Sequence, residues 1–119
     1  MFAREDRLTG QYVIVALAAL SVGILMGLLQ GLEHAGLNLY PLLRPVVRSY
    51  YQGLTLHGVL NVLVFTTFFI CGFLIFTTVR SLGQPLASPR LGQATFWLML
   101  AGLLLALWPM LTNDATVLF

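Results

Sequence analysis

The sequence contains no lysine, one cysteine, and no Asp, Glu, Lys or Arg anywhere between Arg48 and Arg80. The last absence excludes most. A run that long without charge exceeds the roughly 20 apolar residues needed to cross the hydrocarbon core of a bilayer. Charged residues make up 8% of the 119 positions against 59% hydrophobic, more apolar surface than a water-soluble domain of this size can cover. The chain is therefore read as an integral membrane protein in contact with the lipid bilayer. Its six basic residues are all arginines and are scattered, which argues against a nucleic-acid partner. Cys71, alone and in mid-span, rules out an internal disulfide and a thiolate metal pair, and reads as a small hydrophobe. There is no HExxH, no glycine-rich phosphate loop and no Ser/His/Asp constellation. The first apolar run, Leu8 to Leu32, is too long for the h-region of a signal peptide.

What remains is three apolar runs, which predict transmembrane helices over about 11–31, 51–79 and 91–111 of an all-α membrane protein. The amino terminus before them is polar and expected to face solvent. In the first span Ala19, Gly23, Gly27 and Gly31 recur every four residues, a ridge of small side chains that lets another helix backbone come close. Gly102 and Ala106 repeat that spacing in the third span, and Pro109 lies near its end, where a helix kinks or stops. Pro41 and Pro45 break the pattern between the first two spans. Tyr40, Tyr50 and Tyr51 are expected there as interfacial aromatics, and His34 as a solvated loop residue. With three spans, Arg4, Arg7, Arg80 and Arg90 share one side of the membrane and Arg44 and Arg48 the other. The positive-inside rule then puts the amino terminus in the cytoplasm and His57 in the outer half of the second helix. The apolar ending Val117-Leu118-Phe119 and the unmatched small-residue ridges lead us to expect that residues 1–119 are the amino-terminal part of a larger protein.

His57 is the one ionisable group deep in the second span, Tyr50 to Phe69. Such a residue is costly in lipid and by default faces the bundle interior as a functional site. Neutral imidazole is the commonest haem and metal ligand. Gly53, one turn before it, and the adjacent Gly58 thin the helix surface in a way that suits a flat macrocycle. Asn61, one turn later on the same face, is placed to hydrogen-bond a cofactor edge or a neighbouring helix. One ring nitrogen would bind metal and the other needs a partner to fix the tautomer. Thr55 lies on a different face, so the sequence names no such partner. The competing reading, a histidine that only bonds another helix, stands equally open on the residues alone.

A resemblance tips the balance. The stretch SYYQGLTLHGVLNVLVFT, Ser49 to Thr66, resembles the second transmembrane helix of subunit I of B-type haem–copper oxidases. The likeness continues upstream through YPLLRPVVRS, Tyr40 to Ser49, and returns in LWPMLTNDATVLF, Leu107 to Phe119, which looks like the end of the family's third helix. The Met-Pro and glycine-rich elements that follow the histidine in the A-type branch are absent.

The resemblance implies that these helices belong to a larger polytopic haem–copper oxidase bundle in a prokaryotic cell membrane. It makes His57, which matches the family histidine, an axial ligand to the iron of a low-spin haem, expected to be haem b. Gly53, Gly58 and Asn61 would then be neighbours on the haem face. It further implies a high-spin haem and a copper ion whose ligands lie on later helices, so that residues 1–119 carry no catalytic residue of oxygen reduction and are not catalytic alone. The implied partners are the remainder of subunit I, a copper-bearing subunit II and cytochrome c as electron donor, with proton pumping by the whole enzyme. Two alternatives fit the same residues: a nitric oxide reductase-like member of the superfamily, and a three-span scaffold or assembly protein without cofactor.

Overall fold

The computed structural model describes residues 2–115. Its elements are α1 (Ala3–His34), a single turn α2 (Tyr40–Leu43), α3 (Tyr50–Gly58), a π-helical segment (Val59–Phe65), α4 (Thr66–Leu82) and α5 (Pro89–Thr112). From α3 through α4 the chain is one continuous rod, Tyr50–Leu82. This rod, α1 and α5 are each long and apolar enough to cross a membrane. At about 1.5 Å per residue the 32 residues of α1 reach about 48 Å, longer than the roughly 30 Å hydrocarbon core. Its polar first turn and its His34 end therefore stand outside the hydrocarbon.

Local signals set the ends. Ser49 caps α3, its Oγ accepting from Gln52 N at 3.1 Å, and Ser88 caps α5 in the same way through Leu91 N, with Pro89 in the first turn. Gly83, at φ +60°, closes α4 in the left-handed region that glycine adopts at least cost. The amino-terminal residues Ala3, Arg4, Asp6 and Arg7 are exposed, as expected, but they do not form an irregular tail. They are helical from Ala3, and Glu5 is buried, its Oε1 accepting from Leu86 N at 3.3 Å. The α4–α5 loop folds back over the start of α1 and covers that carboxylate. α5 runs on past Pro109 to Thr112, and the Pro109 carbonyl accepts from Asp114 N and Ala115 N beyond the helix end.

Helices α1 and α4 meet around Tyr12, whose ring lies 5.9 Å from Phe68 and, edge-on, 5.1 Å from Phe96 of α5. Gly72 makes this approach possible, since a Cβ there would sit 2.9 Å from Tyr12 Cβ. Large side chains such as Leu98, Leu105 and Trp108 point outward from these three helices. The exposed Arg80–Asp6 ion pair, 2.9 Å, joins the ends of α4 and α1 and contributes at most about 1 kcal/mol.

At the opposite end Gln52 is fully buried and joins three elements. Its Nε2 donates to Met110 O at 3.0 Å and Leu111 O at 2.9 Å, and its Oε1 accepts from Arg48 N at 2.7 Å. Replacing it with leucine leaves those backbone groups without their bonds, each unsatisfied buried group costing about 1–3 kcal/mol. We expect Gln52→Leu to lower the unfolding free energy by about 3 kcal/mol, read by denaturation in mixed micelles. A change below about 0.5 kcal/mol would contradict the tie.

Candidate functional site

His57 sits near the end of α3, on the face turned to α1. Its Nδ1 lies 2.7 Å from Gly23 O of α1 and 3.1 Å from Asn61 Nδ2. A carbonyl oxygen only accepts, so Nδ1 carries the proton and donates to Gly23. With its proton on Nδ1 the nitrogen has no lone pair left for the Asn61 amide to donate to. Turning that amide over brings its oxygen, otherwise buried without a partner, to the Nδ1–H side. Asn61 then supports the same tautomer as Gly23. In a neutral ring protonated on Nδ1 the lone pair is on Nε2, which has no hydrogen-bond partner among the described residues.

The close approach of α1 depends on two missing side chains. A Cβ at Gly27 would sit 2.5 Å from His57 Cε1 and 2.7 Å from Nδ1. A Cβ at Gly23 would overlap the Asn61 amide. These two members of the small-residue ridge thus seat His57 and Asn61 on α1. The other two do not take part, since Ala19 is buried in the core and a Cβ at Gly31 would meet open space. Immediately after His57 the helix becomes π-helical, Val59–Phe65, a widening of the turn often found at functional sites.

The other expected neighbours separate. Gly58 borders open space, with nothing within 4 Å of a Cβ built on it. Gly53 instead makes room for the connection between α1 and α3, since a Cβ there would lie 2.5 Å from the Tyr40 hydroxyl and 2.7 Å from Gln30 Nε2. Tyr40, expected as an interfacial aromatic, is buried, and its hydroxyl accepts from Gln30. Burial, with Glu33 and Tyr50 adding to it, raises the Tyr40 hydroxyl above the usual phenol value, while the Gln30 bond pulls the other way. Tyr40 therefore stays protonated and neutral across the physiological range. His34 lies at the end of α1, exposed, its Nδ1 3.0 Å from Gln30 O and its ring 5.9 Å from that of Tyr50. Sequence reasoning missed the role of Gly23 and Gly27. The signal was present in their four-residue spacing, but it does not reveal which residue of a facing helix the gap receives.

Long apolar helices running back and forth around an inward-facing histidine define a polytopic α-helical membrane protein. Within that class, residues 7–119 match the family described as Cytochrome C and Quinol oxidase polypeptide I, and the chain belongs to that family. It is 40% identical over 120 residues to cytochrome c oxidase subunit 1 of Thermus thermophilus, covering 97% of this chain and 21% of the relative. To a probable cytochrome c oxidase subunit 1-alpha of Streptomyces avermitilis it is 31% identical over 107 residues, 85% of this chain and 17% of the relative. The chain thus spans about a fifth of the length of the curated relatives it matches. Members of the family bind haem and copper.

The residues around His57 fit an iron-bound imidazole. The ring tautomer is fixed from the Nδ1 side, the Nε2 lone pair has no partner, and the glycine cradle holds the ring in place. Among the described residues no group of three or more His, Cys, Asp or Glu side chains could hold a separate metal ion.

Proposed function

We propose that this chain is the amino-terminal part of subunit I of a B-type cytochrome c oxidase, and that His57 Nε2 is an axial ligand to a low-spin haem, haem b. The observation that carries the reading is the Nδ1 bond to Gly23 O, which leaves Nε2 as the ligating atom. When bound, the haem accepts and passes on one electron at a time. The chain's own part is to hold the imidazole. Gly23 O takes the Nδ1 proton in a hydrogen bond, raising the basicity of the ring toward iron. Gly27 lets α1 close over the ring, and Asn61 bonds the same nitrogen side. Gly58, bordering open space, leaves room beside the ligand, whereas Gly53 supports the site through Tyr40 and Gln30.

In the whole enzyme the electrons come from cytochrome c through a copper-bearing subunit II. They pass on to a high-spin haem and copper held by the remainder of subunit I, where oxygen is reduced with proton pumping. The protein spans a prokaryotic cell membrane with its amino terminus in the cytoplasm. Support for this orientation comes from the arginines: Arg4, Arg7 and Arg90 gather at one end with the Arg80–Asp6 pair, away from Arg48 beside Thr112 O. The 40% identity to an oxidase subunit favours oxygen over nitric oxide as substrate and a subunit of an enzyme over a scaffold.

The ligand assignment is tested by His57→Met in the assembled oxidase. Exchanging imidazole for thioether raises a haem potential, so the low-spin haem should titrate at a higher potential with an altered near-infrared spectrum. An unchanged potential and spectrum would mean that His57 does not touch iron.

A further inference from the structure

We propose that the arginine-rich end of the bundle holds a binding site for the phosphate headgroup of an anionic lipid. A cavity of about 410 Å³ opens there between the first turns of α1 and α5, lined by Arg4, Arg7, Arg90, Glu5, Leu86 and Gln93 among others. Among the described residues none of the three arginines has an ion-pair partner. The nearby Asp6 is engaged by Arg80 through both carboxylate oxygens, at 2.9 and 3.0 Å. Glu5, the one acidic side chain in the lining, is buried and accepts from Leu86 N, so it fixes the loop that roofs the cavity. Gln93 is likewise committed, to Gln11 Oε1 at 3.0 Å, which holds α5 against α1.

Three arginines lining one opening against a single carboxylate leave a net positive site. Guanidinium matches phosphate with paired hydrogen bonds. Its location selects the source of that phosphate. The cavity lies where two membrane-crossing helices begin, at the depth of the headgroups, and Leu8 and Leu86 carry its wall toward the hydrocarbon side. Basic recesses between helices at the cytoplasmic surface are where anionic headgroups bind. The site is independent of His57, which lies toward the other end of the bundle.

The test uses the full-length subunit in its assembly, reconstituted in nanodiscs containing phosphatidylcholine and phosphatidylglycerol, with retained lipid read by native mass spectrometry. The unmodified protein should retain phosphatidylglycerol in preference to phosphatidylcholine. Arg7→Gln and Arg90→Gln should each weaken that preference about fivefold, while Arg44→Gln at the opposite end leaves it unchanged. Equal retention of both lipids, or full preference in the Arg7→Gln/Arg90→Gln double variant, overturns the site. Displacement of the lipid by millimolar inorganic phosphate would show that free phosphate is the ligand and overturn the lipid assignment.

Discussion

Replacing His57 with leucine in the assembled oxidase should abolish the low-spin haem absorbance and, with it, electron entry to the oxygen-reducing site. Leucine fills a similar volume and is at home in lipid, so the helix should still insert. What is lost is the Nε2 lone pair and the Nδ1–H bond to Gly23 O. The reduced-minus-oxidised spectrum reads the first loss directly, and turnover with reduced cytochrome c should fall by several orders of magnitude. His34→Leu is the control. That histidine is exposed at the end of α1 with its ring against Tyr50, and the substitution should leave the haem spectrum intact. A normal low-spin band in His57→Leu would remove the haem from this residue.

Substitutions on α1, on residues that touch no cofactor, should have the next largest effect. Gly27→Ala puts a methyl group 2.5 Å from His57 Cε1 and 2.7 Å from Nδ1. The ring has to give way, and it cannot do so without stretching its bond to Gly23. Overpacking of this kind costs about 1–3 kcal/mol, and we expect the low-spin haem to be lost or to shift in potential. Gly23→Ala strikes the Asn61 amide instead. Adding Asn61→Ala should therefore rescue Gly23→Ala by about 1 kcal/mol or more and leave Gly27→Ala unrescued, because contacting pairs couple and others add. Gly58→Ala meets no protein atom within 4 Å and should leave the packing of His57 against α1 undisturbed. If all three glycines tolerated alanine equally, the cradle would have no part in holding the ring.

Much of this arrangement is legible in the sequence. The absence of charge between Arg48 and Arg80 marks the central rod, and the isolated His57 marks the site, because hydrocarbon penalises polar groups so heavily that exceptions stand out. The caps at Ser49 and Ser88 are missing from that reading, although serine just before an apolar run is a helix-start signal. Less readable are pairings across helices. The sequence shows that Gly23 and Gly27 permit contact but not that His57 and Asn61 fill the space, since spacing along one helix carries no register against another. The π segment is hidden for the same reason: VLNVLVF has nothing in its composition to distinguish it from α-helix. Glu5 and Tyr40 read as surface residues because they are polar or amphipathic. Their burial comes from a returning loop and from Gln30, both distant in sequence.

Gly23 meets His57 through its backbone carbonyl, and under the proposed ligation this would bear on how a haem's potential is set. A ligand oriented by a side chain on its own helix keeps its electronic character when helices shift. Here the Nδ1 proton is shared with a carbonyl on α1, so the donor strength of the imidazole varies with the distance between two helices. With His57 as the proposed ligand, pressing α1 and α3 together would draw the ring toward imidazolate and lower the haem's reduction potential, and parting them would raise it. Helix packing and redox poise would then be coupled through the contacts at His57 Nδ1.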